Sequence, residues 1–287
     1  MAIEGGSGRM DRTSDARQQR SGLSRVIASA GLLALTLVAC VPAAGPTLTV
    51  APDAARVAAG DPQARDTIFY MTDRSPGPGG RGGDGYRHGR SAAMAFGSVR
   101  TEVGGGRGAV RVAAPDELVR FPMTPVPFFR RGSVIVPEPA PAAAYRAAAD
   151  RFKAEVAAAL RARGQRDVIV FVHGYRNSFD DSVSTLADLW QATGRRALPI
   201  VFSWPAGNPA PFGYLKDREG GEFAIFHLKE TLRLLAEVDG LGDIQVVTHS
   251  RGSDVATSAL REMVIAARAA GHDPRRVLKI GSVAQIA

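Results

Sequence analysis

Ser250 lies in the run Thr248-His249-Ser250-Arg251-Gly252, directly after an apolar β-type segment and directly before a helical pattern that continues to Ala269. A serine on a tight strand-to-helix turn projects its hydroxyl from the strand end. The free N–H groups and positive dipole end of the following helix can then stabilise an oxyanion developing beside it. The same serine could instead cap the helix, with no chemistry implied. Upstream, Phe171-Val172-His173-Gly174-Tyr175 closes a second apolar segment, and its glycine permits close backbone approach. Two loops of this kind, each at the carboxyl end of a strand, support a catalytic reading of Ser250 more strongly than S-x-G alone.

The elements that must position these loops are legible as alternating periodicities. Val168–Val172 (VIVFV), Pro199–Trp204 (PIVFSW), Asp243–Thr248 (DIQVVT) and Val277–Ile286 read as strands. Phe179–Ala192, Asp217–Val238 and Ser250–Ala269 carry apolar residues at helical spacing between them, and Ala142–Ala162 does so ahead of the first. Apolar strands separated by helices imply an α/β fold with a mainly parallel sheet covered by helices. Further upstream, Asp66–Thr72, Ala95–Val103 and Ala109–Val112 read as strands, and the proline-rich Phe121–Pro141 as an extended connection.

At this level the chain resembles a known family. VFVHGYRNSF, VFSWP, GYLKDRE and VVTHSRG, preceded by DTIFYMTDR and GRSAAMAFGSV, resemble a subfamily of bacterial α/β-hydrolases of largely unassigned substrate, often carried on lipoproteins. The resemblance covers most of residues 65–287. It implies an α/β-hydrolase fold, esterase- or lipase-like, with Ser250 as the nucleophile of an acyl-enzyme. The backbone N–H groups of Tyr175 and Arg251 would form the oxyanion hole, and Trp204 a wall of the substrate pocket. His173 and His249 match positions that pack or orient the loops. Thr248 departs from the G-x-S-x-G pattern, standing where glycine is usual.

A serine hydroxyl needs a histidine to take its proton, and the histidine needs an acid to fix its tautomer. In α/β-hydrolases these follow the serine in the order acid, then histidine. After Ser250 the acids are Asp254, Glu262 and Asp273, and the one histidine is His272. Asp254 and Glu262 fall on the helix itself. His272 and Asp273 fall at its far end, and a 20-residue helix is about 30 Å long. The expectation is an incomplete triad, a fold apparently truncated at its C-terminus, and little or no turnover from the chain as it stands.

The first 39 residues read as a lipoprotein signal peptide. Five arginines precede an uncharged apolar run from Val26 to Leu37, too short for a spanning helix. Leu37-Val38-Ala39-Cys40 resembles a lipobox, with the chain's single cysteine, Cys40, as the lipid attachment site. The start could be Met1 or Met10. Val41 lacks the aspartate that retains such lipoproteins at the inner membrane, so a lipid anchor in the bacterial outer membrane is favoured. Residues 40–65 then form an Ala/Pro-rich tether, 66–141 a β-rich segment with a Gly/Arg loop, and 142–287 the incomplete hydrolase core.

Composition excludes several classes. The formal net charge is +8, but Arg74–Arg111 alone holds seven arginines against two acids. That stretch also holds twelve of the 32 glycines and reads as a solvated loop. With Tyr86 the only aromatic near the Gly77–Gly83 run, it offers no base-stacking platform, so nucleic acid is not expected as a partner. Gly77, Gly79 and Gly82 satisfy G-x-G-x-x-G, but with neither a strand close before nor a helix after, so no dinucleotide cofactor is expected. One cysteine forms no disulfide within the chain, and no Cys/His cluster has zinc spacing, so no metal is expected either. Two readings remain: a membrane-anchored serine hydrolase acting on a small-molecule or lipid acyl substrate, or a noncatalytic envelope lipoprotein that binds or scaffolds. Neither names a protein partner.

Overall fold

The computed structural model describes residues 67–78, 85–103, 110–209 and 213–286. The leader, Cys40, the tether and the centre of the glycine-rich segment lie outside the described residues. Strands β1 (Thr67–Pro76), β2 (Tyr86–Val103), β3 (Val110–Val112) and β4 (Asp116–Met123) come first, followed by a hairpin of β5 (Phe128–Arg131) and β6 (Val134–Pro137). Helix α1 (Pro139–Arg163) then leads into β7 (Val168–Val172), α2 (Phe179–Ala192), β8 (Leu198–Ser203), α3 (Gly213–Ala236), β9 (Ile244–His249) and α4 (Arg251–Ala269). A short α5 (Pro274–Leu278) and β10 (Ile280–Ile286) complete the described chain.

The sheet runs β10-β9-β7-β8-β1-β2-β3, with β4 also paired to β2. From β10 to β1 every pairing is parallel, and β2 turns antiparallel to β1. This is the α/β class expected, a mostly parallel sheet under helices, consistent with an α/β-hydrolase fold. The continuous apolar runs have their reason here. β7 and β8 are buried along their whole length because both faces are covered. Val170, Val172 and Phe202 pack with Phe152 of α1, Leu228 of α3 and Val255 of α4. Ile169, Phe171 and Val201 pack on the other face with Val183 and Leu186 of α2.

β7 sits at the point where the connections change direction. Helix α2 carries the chain to β8 on one side, and α3 carries it back past β7 to β9 on the other. Loops leaving β7, β8 and β9 therefore part at the carboxyl edge of the sheet, where open α/β sheets form their crevice. The register keeps these ends level: Val172 lies opposite both Phe202 and Thr248, and Thr72 opposite Ser203.

Two expectations are corrected. The Gly/Arg stretch is not a loop throughout, because β1 runs on to Pro76 and β2 begins at Tyr86. Antiparallel pairing from Thr67↔Arg100 to Pro76↔Tyr86 satisfies the backbone of residues whose side chains show no strand pattern. A strand therefore does precede Gly77 directly, although a second strand rather than a helix follows. Phe121–Pro141 is likewise not one extended connection. It holds the end of β4, the β5–β6 hairpin turning at Gly132-Ser133, and the start of α1.

Candidate functional site

Ser250 is the junction between β9 and α4, at φ 49° and ψ −123°. Positive φ is sterically costly for a residue with a β-carbon, about 1–3 kcal/mol, and persists where its surroundings enforce it. The surroundings here are specific. Ser250 N donates to Ile286 O of β10 at 2.9 Å, and Ser250 O accepts from Ser253 N at 2.9 Å. Thr248, whose bulk departs from the expected glycine, is buried with its hydroxyl 2.8 Å from Ser253 Oγ, which ties the strand end to the first turn of α4.

The capping reading of Ser250 can be set against a serine that does cap. Ser178, before α2, has extended backbone at φ −72° and ψ 177°; its hydroxyl accepts from Asp181 N, and Asp181 accepts from Ser178 N in return. Ser250 makes no side-chain cap bond and is exposed. The hydroxyl of this strained, exposed residue makes no hydrogen bond among the described residues.

The two glycine-bearing loops meet. A β-carbon on Gly252 would lie 2.3 Å from Val172 O and 2.4 Å from His173 O. One on Gly174 would lie 2.7 Å from His249 Nδ1 and 3.1 Å from Ser250 Cβ. Each glycine is thus required by the other loop's backbone or side chain, which explains why both occur. Tyr175 follows Gly174 directly. Arg251 is the first residue of α4, whose N–H has no acceptor within the helix. Neither of these N–H groups donates to another described residue.

A buried network braces the β7 loop from beneath. Arg74, at the end of β1, donates to Ser203 Oγ (2.9 Å), Ala206 O (2.8 Å) and Asn177 O (2.7 Å), and its Nη2 lies 3.3 Å from His173 Nε2. Burial pulls this guanidinium down to about 10, against the pull of Asp73 and Asp217, so it remains charged at neutral pH. The imidazole of His173 is fully buried, and desolvation together with the Arg74 charge holds it well below its ordinary value. The neutral ring fits with Nδ1–H donating to Gly174 O at 2.9 Å and the Nε2 lone pair facing Arg74. Trp204 stacks on that ring at 5.0 Å and donates from Nε1 to His173 O at 2.7 Å. Trp204 is itself fully buried, so it supports the loop from behind.

Asp217 of α3 pins the same loop from the other side. Its carboxylate accepts from Arg176 N at 3.3 Å, Gly207 N at 2.9 Å and Asn208 N at 3.2 Å, joining the loops after β7 and β8. Sequence alone does not single out Arg74 or Asp217. Arg74 closes DTIFYMTDR but lies in the stretch read as solvated, and Asp217 is visible only as part of GYLKDRE.

The acids and histidine downstream of Ser250 are dispersed. Asp254 pairs with Arg251 and Glu262 with Lys229. His272 is exposed beyond the far end of α4, about 28 Å from its start at 1.5 Å per residue. Asp73 and His227 do form a buried carboxylate–imidazole pair, 2.9 Å apart. That pair stands on β1 and α3, however, and β1 is three strand spacings, about 14 Å, from β9. No described histidine or carboxylate is hydrogen-bonded to the Ser250 hydroxyl.

Residues 148–284 match a family model described as an alpha/beta hydrolase of unknown function (DUF900). The match runs from within α1 through most of β10 and so takes in both converging loops. Together with the mostly parallel, helix-covered sheet, it supports the α/β-hydrolase superfamily. No curated protein and no solved structure matches the chain.

Proposed function

We propose that the protein is a serine hydrolase of the α/β type that cleaves an ester, thioester or amide through an acyl-enzyme on Ser250. The observation that carries this reading is the backbone of Ser250: a strained, uncapped serine at a strand–helix junction, beside a loop that approaches within van der Waals contact. In the reaction, Ser250 Oγ attacks the acyl carbon and its proton passes to a base. The oxygen that becomes negative is held by the N–H groups of Tyr175 and Arg251, and collapse of the adduct expels the alcohol, thiol or amine. The N-terminus of α4 adds a favourable dipole for that oxygen. On this reading the activity sits at a bacterial envelope, tethered through a lipid on Cys40, and the lipobox-like Leu37-Val38-Ala39-Cys40 is what supports that tether.

With no described histidine bonded to Ser250, acylation by the chain alone is expected to be slow and to be accelerated by an added base. The test is labelling by a fluorophosphonate. Oγ attacks phosphorus, fluoride leaves, and the proton goes to the base. Adduct mapped to Ser250, absent in Ser250→Ala and formed faster with added imidazole, is the expected result. Undiminished labelling of the Ser250→Ala variant would overturn the assignment.

A further inference from the structure

The β5–β6 hairpin leaves the body of the fold and is apolar without being covered. Phe128 (56%), Phe129 (44%), Val134 (60%) and Ile135 (61%) all stand open to solvent. An isolated two-stranded ribbon of this kind is at best marginal in water. Its cross-strand pairs put apolar side chains on both faces: Phe128 with Pro137 and Arg130 with Ile135 on one, Phe129 with Val136 and Arg131 with Val134 on the other. Residues 128–137 hold two arginines and no acid. Neither Arg130 nor Arg131 has an ion-pair partner among the described residues.

The hairpin's position matters as much as its composition. β4 runs parallel to β1, since both are antiparallel to β2, so β4 ends at the same carboxyl edge as β7, β8 and β9. Glu138 N, just after the hairpin, donates to Pro127 O just before it, so the ribbon both leaves and rejoins the fold at that edge. Met123, Tyr214 and Leu215 are exposed there too, with Tyr214 packed edge-on against Tyr175 at 5.2 Å. Seven of the ten large apolar side chains exposed among the described residues therefore lie on the edge that carries Ser250. Lys216 and Arg218 are exposed beside Leu215.

We infer that this edge docks on an anionic phospholipid bilayer, with the β5–β6 hairpin lying at the boundary between headgroups and acyl chains. Arg130 and Arg131 complement lipid phosphates, while the four open apolar side chains enter the acyl boundary. A protein surface would cover one face of the ribbon. A bilayer interface surrounds both, and both are apolar here. Docking in this orientation turns the crevice above Ser250 towards the bilayer, so that the acyl substrate is a lipid ester drawn from it. This last step rests on the nucleophile reading, whereas the docking does not.

The test is Phe129→Trp and, on the opposite face, Ile135→Trp, each in the full chain mixed with vesicles carrying brominated lipid. Trp190 and Trp204 are buried, so the parent chain supplies the background. Quenching of both added tryptophans by vesicles of phosphatidylglycerol and phosphatidylcholine is expected. It should weaken several-fold on phosphatidylcholine alone and after Arg130→Glu with Arg131→Glu. A lipid tail on Cys40 would bring the chain to the vesicle without producing this quenching, so the readout is of the hairpin itself. Absence of bromine quenching at both positions would overturn docking. So would protection from iodide that rises with protein concentration without vesicles, the sign of a second copy on the hairpin. Fluorophosphonate labelling of Ser250 in the same samples reports on the hydrolase reading separately.

Discussion

Gly252 abuts the carbonyl oxygen of Val172 so closely that a β-carbon on it would lie 2.3 Å away. This contact joins the turn after β9 to the end of β7, and both partners are backbone, which cannot swing aside as a side chain can. Gly252→Ala is therefore expected to destabilise the fold by about 1–3 kcal/mol, measured by urea denaturation. It should also reduce fluorophosphonate labelling of Ser250, because the Tyr175 and Arg251 N–H groups proposed to hold the oxyanion would separate. Unchanged stability would mean that the two loops do not meet as described.

Arg74 is the buried cation on which the β7 loop rests. Arg74→Met removes the donors to Ala206 O, which is buried, and to Asn177 O, which is part-buried. Each unsatisfied acceptor costs about 1–3 kcal/mol, so a loss of about 3 kcal/mol in denaturant-measured stability is expected. Arg74→Lys should recover only part of it. A single ammonium cannot reach Ser203 Oγ, Ala206 O and Asn177 O with the fixed fork that a guanidinium provides.

The contrast between Arg74 and the serine it serves shows where sequence is informative. The strands β7, β8 and β9 and the helix α2 are legible to within a residue or two, because burial on both faces leaves continuous apolar runs and helical spacing. Ser250 is legible as a candidate because it stands at a strand-to-helix turn two residues before a glycine, and Tyr175 and Arg251 through the resemblance of both loops to α/β-hydrolases. Arg74 is invisible in that language. Its burial depends on β2 pairing along the whole of β1, and nothing near Arg74 in sequence encodes the carbonyls from residues 177 and 206 that receive it. The hairpin is hidden for a related reason. Its strands are short and uncovered, so they show neither alternation nor a buried face.

Asp217 supplies the second clamp on the β7 loop, accepting three backbone N–H groups with one carboxylate. Asp217→Asn keeps the shape but replaces one acceptor oxygen with an amide donor, which must then face an N–H. A loss of about 2 kcal/mol is expected. The Arg176 segment should lose amide-exchange protection while β9 keeps its own. Equal loosening of β9 would mean that Asp217 acts on the whole fold rather than on the loop.

His173 gives the stability a defined pH dependence. In the folded chain it is held neutral by burial and by Arg74, well below the 6.5 of an unperturbed imidazole. In the unfolded chain it titrates near 6.5. Below that pH the unfolded state binds the extra proton and the folded state does not. The stabilisation is therefore complete above pH 6.5 and is lost as pH falls from 6.5 towards the folded value, with a slope of up to about 1.4 kcal/mol per pH unit. Burial raises Asp73 above 3.8, which tilts the profile the opposite way, so the wild-type curve alone is not diagnostic. Subtracting the profile of His173→Asn isolates the histidine. The difference should decline as pH is lowered between about 6.5 and 5. A flat difference across that window would show that His173 accepts a proton in the folded state, and the neutral ring would then not be what holds the loop beside Ser250.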